Sequence, residues 1–242
     1  MLKIFRSARK NMIKNNKITA YILYAIGEIL LVMIGILLAL QVNNWNEKRN
    51  QQNELNNALR AISYDLVTDT TSAAVIIKFY EENQKNSLKI INKEITLDNY
   101  KECPQCLGLI TVYQPFNIQT KGFENLKTIS LKGSSTQKDS LINDINKVYS
   151  QLGPLIHKSN ERMEDEILGN FNDFKSFSWF VDLSLGKFNQ DIVEYFVLSE
   201  DYRKRVTGHL ILAAGNHLSL AKQYKLNAEV ILKRIDKRLN PE

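Results

Sequence analysis

ITAYILYAIGEILLVMIGILLALQV, residues 18–42, decides the architecture: only Thr19, Glu28 and Gln41 interrupt the apolar run with polar side chains. As a helix rising about 1.5 Å per residue, it reaches roughly 37 Å, enough to cross a hydrocarbon layer of about 30 Å with some tilt. The reading is a single transmembrane helix. A cleaved signal peptide is the competing reading. The run is longer than a signal h-region of about 7–15 residues, however, and Leu38-Ala39-Leu40-Gln41 is a poor small-x-small cleavage site.

Charge on the two flanks sets the expected orientation. Residues 1–17 carry Lys3, Arg6, Arg9, Lys10, Lys14 and Lys17 and no acid, whereas Asn43–Asn50 mixes Glu47 with Lys48 and Arg49. The basic flank is expected in the cytoplasm, with residues 43–242 as a periplasmic domain. Leu2, Phe5, Ala8 and Met12 recur between the cations, so the tail reads either as a helix lying on anionic lipid or as a disordered basic segment. Of 32 Lys and Arg and 26 Asp and Glu, removing the six tail cations and Glu28 leaves 26 basic against 25 acidic residues outside. Membrane lipids are therefore the expected partner of the basic charge. A nucleic acid is not, since that would need cations on the folded domain.

Outside the span the expectation is an all-α fold. No Gly or Pro occurs between Ile36 and Glu102, and Leu55, Leu59, Ile62, Leu66, Ala73, Ile76 and Tyr80 alternate by four and three, missing only at Asp69. That heptad-like seam predicts one helix continuing from the membrane to about Ile95, with a stutter at Leu88, Ile91 and Ile95. Thr68–Ser72 is its weak point, because Asp69 or Thr70 suits an N-cap. Thr96–Gly133 reads as a long irregular connection with a β-prone run, Leu109–Tyr113, and room for a small hairpin. Helices are expected at Ser140–Leu152, again past Gly153-Pro154 from Leu155 to Leu168, and finally at Asp201–Leu239 with a seam of Val206, Leu210, Ala213, His217, Leu220, Tyr224 and Ile231. The two long seams should pack antiparallel in a helical bundle.

Tyr21-x-x-Tyr24-Ala25-Ile26-Gly27-Glu28-Ile29, then Ile34-Gly35-Ile36-Leu37, Ala39-Leu40-Gln41 and Asn43-Asn44-Trp45-Asn46-Glu47, resembles the N-terminal signature of a family of small single-pass inner-membrane proteins of Gram-negative Bacteroidota, defined by a domain of unknown function. Gly122-Phe123-x-x-Leu126-Lys127, the Gly133-Ser134 turn and Asn143-Asp144-Ile145 to Tyr149 are similar to its middle segment. The resemblance implies a helical periplasmic domain and no known reaction. It gives no role to the cysteines.

Several side chains are candidates for function. Glu28 lies near the middle of the span, where an ionisable group is expensive. Gly27, Leu31, Gly35 and Ala39 form a small-residue stripe suited to close helix packing. Glu28 then reads as protonated or hydrogen-bonded across a helix contact, as a proton relay resembling the small subunit of ion-driven stators, or as the counter-ion of another membrane protein. Cys103-Pro104-Gln105-Cys106 reads as a loop disulfide, as a thiol-redox pair, or as free or metal-bound thiols. His157, His209 and His217 lack metal-site spacing, and His217 reads as a core histidine; no metal or other cofactor is expected. Glu161, Glu164, Asp165 and Glu166 read as a solvated helix face. Phe171, Phe174, Phe177, Trp179, Phe180, Phe188, Tyr195 and Phe196 read mainly as core, with Phe177, Trp179 and Phe180 as the candidates for a partner or ligand surface. Trp45 suits an interfacial belt.

No phosphate-cradling glycine loop, G-x-S-x-G elbow or zincin helix is present, so an enzyme is not expected. A seventeen-residue tail is too short for a cytoplasmic output domain. The expected role is an anchored scaffold that forms a homo-oligomer through the glycine face and the outer seam, with another inner-membrane or envelope protein as a further partner. A ligand sensor or stator-like transducer is the second expectation, and a thiol-redox protein the third.

Overall fold

The computed structural model describes residues 18–130 and 139–241, with side chains from Ile22 onward except that of Ser130. The basic tail, Lys3 to Lys17, and the Gly133-Ser134 turn lie outside the described residues. Two units are distinguished: residues up to Glu54, and a compact unit from Leu55. The described residues contain helices and no strand.

Helix α1, Ile18–Ile91, has no break. Its N-terminal part is long and apolar enough to cross a membrane, with none of that window buried, which fits a single-pass membrane protein. The chain compacts only from Leu55, so Asn43–Glu54 is a bare helical stretch rather than part of the bundle. At Thr68–Ser72 the hydroxyls of Thr68, Thr70 and Thr71 donate back to the carbonyls of Tyr64 and Val67 at 2.9–3.1 Å. Bonding within the helix replaces the cap that would have ended it.

The buried face of α1 runs Leu55, Leu59, Ile62, Leu66, Asp69, Ala73, Ile76, Tyr80, Asn83, Ser87 and Ile90. The four-three rhythm never falters, so the expected stutter is absent: Leu88 is exposed, and polar Asn83 and Ser87 occupy the seam where apolar residues were sought. This seam is consumed by the chain's own core and is not available to a second copy. The helix ends four residues before Ile95 in a Schellman turn. Lys93 N–H bonds Ile90 carbonyl at 3.1 Å and Glu94 N–H bonds Lys89 carbonyl at 2.9 Å, with Lys93 in the left-handed region at φ 59°. Glycine ordinarily fills that position, and its absence hid the stop.

Two short 3₁₀ turns, Tyr100–Glu102 and Pro104–Leu107, follow. Val112 to Thr120 is then a strap with neither helix nor strand, not a hairpin. The irregular connection also contains a helix, α2 (Lys121–Ser130). Its start packs against α1 so closely that a Cβ on Gly122 would lie 2.5 Å from Ile62 N. Phe123 and Leu126 enter the core, and Phe123 stacks on Tyr149 at 4.6 Å, which gives the Gly-Phe-x-x-Leu pattern a packing reason.

Helix α3 (Ser140–Lys147), capped by Asp139, runs through a π-helical stretch, Val148–Leu152, into α4 (Gly153–Phe174). The expected interruption at Gly153-Pro154 does not occur. In the wide turn Gly153 N–H reaches Val148 carbonyl, and Pro154 stands in the first turn of α4, where a missing N–H costs little. Short helices α5 (Phe180–Ser184) and α6 (Gln190–Leu198) lead to α7 (Glu200–Leu210), a second π stretch (Ile211–Leu218) and α8 (Ser219–Leu239). Here the wide turn changes which residues face inward. His209 and Ala221 are buried, whereas Leu210 and Leu220, expected on the seam, are only half-buried.

Two apolar cores result. One joins α1, α2, α3, α4 and α8 around Leu59, Ile62, Leu66, Leu126, Ile145, Met163, Tyr224 and Ile231. The other, at the Ile91 end of α1, gathers Ile90, Leu107, Ile110, Phe174, Trp179, Phe196, Tyr202 and Val206 around the cysteine loop.

Candidate functional site

The most densely built polar site in the bundle lies where the strap crosses it. A segment outside helix and sheet has no regular partner for its main-chain N–H and C=O groups, and burying them unpaired costs about 1–3 kcal/mol each. Side chains from three helices meet that need. Tyr80 of α1 accepts from Gln114 N–H at 3.0 Å and lies 3.1 Å from Gln114 carbonyl, to which it donates. His217 Nε2 reaches the same carbonyl at 3.1 Å, and its Nδ1 lies 3.0 Å from Ser159 Oγ. A carbonyl only accepts, so the proton sits on Nε2 and Ser159 donates to Nδ1. Asn160 of α4 accepts from Phe116 N–H at 3.0 Å and donates to Phe116 carbonyl at 2.9 Å.

Two carboxylates one turn apart on α1 complete the clamp. Asp69 accepts Gln119 N–H at 3.0 and 3.1 Å and the Tyr224 hydroxyl at 2.6 Å. Asp65 accepts Gly122 N–H at 2.7 Å, capping the start of α2 from another helix. Burial pushes the Asp69 carboxyl up to about 6, against the pull of the Tyr224 and Gln119 hydrogen bonds. Burial likewise raises the phenols of Tyr80 and Tyr224, holding both in the donor form. The carboxylates of Asp65 and Asp69 are buried, and the hydrogen bonds of the cluster order the backbone of the strap. Two sequence signals pointed to it: the gap in the seam at Asp69, and His217, read as a core histidine and found buried with both ring nitrogens hydrogen-bonded.

The cysteines form a disulfide, and both are buried. Cys106 carbonyl accepts the Tyr202 hydroxyl at 2.5 Å, which fastens the loop to the aromatic core. Burial of both cysteines favours a structural disulfide over redox exchange. Beside the loop, Phe79, Asn83, Asn86, Gln105 and Leu109 line a cleft of about 370 Å³. Phe116, Tyr149, His157 and Asn160 line another of about 280 Å³ along the strap.

The aromatic segment is mostly core. Trp179 is buried, and Phe177 and Phe180 are half-buried; Phe174, Phe177 and Tyr195 pack around Trp179 with centroids 4.7–5.6 Å away. Phe188 stays exposed. Arg205 ties this region together through Asp173 at 2.6 Å, Asp201 at 2.7 Å and Asn170 at 3.1 Å.

The histidines are not brought together. His157 is exposed beside Glu161 at 3.4 Å, and His209 is fully buried with neither ring nitrogen hydrogen-bonded. Burial lowers His209 to about 4. Among the described residues no cluster of His, Cys, Asp and Glu suits a metal. Glu164 and Asp165 are exposed, Glu161 and Glu166 half-exposed, and Glu161 pairs with Lys158 at 2.7 Å, in keeping with a solvated face. In the apolar helix Glu28 is exposed, and a Cβ on Gly27 or Gly35 would meet nothing within 4 Å; Ala39 and Trp45 are exposed too.

Compared with family models, curated proteins and solved structures, the chain matches none.

Proposed function

We propose that this chain is an inner-membrane-anchored periplasmic interaction module that self-associates and supports a larger envelope assembly. One observation carries the reading: an apolar helix whose membrane-length window is unburied among the described residues runs without a break into a helix whose opposite end is bundle core. An anchor of that kind places a folded domain at a membrane and leaves lipid-facing surface for another helix. The basic flank and the resemblance to the Bacteroidota inner-membrane family support a cytoplasmic N-terminus.

The test has two arms. A tag after Glu242 should be cleaved by protease in spheroplasts and protected in whole cells. Purified in mild detergent and crosslinked, the chain should run as an oligomer or with a co-purifying protein. A tag found inside the cell overturns the orientation, and a strict monomer without companions overturns the scaffold.

Glu28 favours a second reading, a proton-coupled transducer, because the carboxylate stands on an unpacked membrane face. Glu28→Gln should then abolish function while assembly persists. Retained function excludes it.

A further inference from the structure

The stretch Asn43–Glu54 is helical, yet every residue in it is exposed. It has no apolar stripe, its asparagines are poor helix formers, and none of its charges has an opposite charge four residues away. Arg49 over the Trp45 ring at 5.9 Å is one local support. A polar helix of this kind is strengthened by a partner.

Its sequence specifies one. Asn43, Asn46, Asn50 and Asn53 are spaced three, four and three, the a and d positions of a heptad. Among the described residues none of these four has a side-chain hydrogen-bond partner. Counted onward along the sequence, the same register falls on Asn57, Arg60, Tyr64, Val67 and Thr71, all exposed, with Tyr64 at 75%. Within the compact unit these exposed positions form a second stripe, on the opposite side of the helix from Leu55, Leu59, Ile62 and Leu66.

The flanking charges choose the occupant. With Asn43 and Asn50 at a, Arg49 is a g position and Glu54 the following e position. In a parallel pair of identical helices, g of one faces the next e of the other, so Arg49 meets Glu54 twice by symmetry. An antiparallel pair would set Arg49 near Arg49 and Glu54 near Glu54. Two copies inserted in the same membrane with the same orientation are necessarily parallel.

We propose that Asn43–Glu54 is the contact stretch of a parallel, in-register two-helix coiled coil between two copies of this chain, with the four asparagines on the seam and Arg49 of each copy paired with Glu54 of the other. Facing asparagines satisfy each other's amides only in register, so they specify alignment and a dimer at a cost in stability. Confinement of both copies to one membrane raises their effective concentration and offsets that cost. The inference rests on the self-association proposed above and names its face.

The test uses the full chain in isolated membranes, with one added cysteine at a time and the native pair left bonded. Under mild oxidation, Asn46→Cys, Asn50→Cys and Asn53→Cys should give at least fivefold more crosslinked dimer than Lys48→Cys or Gln51→Cys. Arg49→Glu and Glu54→Arg should each lower the Asn50→Cys crosslink severalfold, and the double swap should restore it. A dimer by mass whose strongest crosslinks fall at Lys48 and Gln51, or one indifferent to the charge swaps, overturns the register while self-association stands. A monomer by mass overturns both.

Discussion

Tyr224 donates its hydroxyl to the Asp69 carboxylate at 2.6 Å, joining residues 155 apart in sequence in the middle of the bundle. The same carboxylate receives Gln119 N–H, so α1, α8 and the strap meet at one side chain.

That junction has a pH signature. Asp69 titrates near 6 folded against 3.8 as its ordinary value, so between these pH values the folded state holds a proton that the unfolded chain has lost. Protonation therefore favours folding: stability contributed by Asp69 is lower above pH 6 and rises on acidification toward pH 4, by about 3 kcal/mol at most. Asp69→Asn, which still accepts from Gln119, should remove this gain. Denaturant titrations of both proteins at pH 7 and pH 4.5 measure it; an unchanged pH slope in the variant would contradict the assignment.

His209 acts with the opposite sign. Its folded value near 4 lies below the ordinary 6.5, so the unfolded chain takes the proton first, and stability is lost as pH falls from 6.5 toward 4, by about 3 kcal/mol. Because neither ring nitrogen has a partner, His209→Leu should also stabilise the protein at pH 7 by about 1–2 kcal/mol. Thermal melts at pH 7 and pH 5 should show the variant gaining more at the lower pH. A destabilised variant would mean that the imidazole is satisfied in solution.

Gly122→Ala places a methyl group against the α1 backbone, 2.5 Å from Ile62 N and 2.7 Å from Ala61 C. Neither atom can rotate away. The cost should be about 3 kcal/mol, read as a lower denaturation midpoint with an unchanged m-value.

Lys93 adopts φ 59° without being glycine. Lys93→Gly should raise stability by about 1 kcal/mol by relieving the left-handed conformation. The ion pair to Glu200 that it gives up at 3.1 Å is exposed and contributes little. A lower melting temperature would show that the pair outweighs the strain.

The cysteine pair closes a four-residue loop, so the chain-entropy model assigns it about 2 kcal/mol. Alkylation of the denatured protein should label neither thiol before reductant and both after it. Cys103→Ser with Cys106→Ser should lower stability by that amount without altering assembly. Lost assembly would give the loop a role beyond packing.

Much of the fold was legible because α1 states its buried face in a repeat that survives Asp69, Asn83 and Ser87. The same positions show why the site was not. Single-residue polarity reads as an interruption in an apolar pattern, whereas in the fold Asp69 is the residue the strap depends on. Leu109–Tyr113 suggested a strand by composition, yet the strap's hydrogen bonds come from Tyr80, Asn160, His217 and Asp69, which are far away in sequence. At His209 and Leu210 the limit was geometric, since a π stretch rotates the inward face and nothing local announces it. Lys93 likewise concealed a helix end that glycine would have advertised.

The strap is gripped through its peptide groups as well as through the buried Phe116 ring. Gln114 and Gln119 are held at main-chain atoms alone, so drift at those two positions should be cheap, while Tyr80, Asn160 and Asp69 should be hard to replace. Relatives that keep this clamp can rewrite the outward surface of the strap without refolding the bundle beneath it.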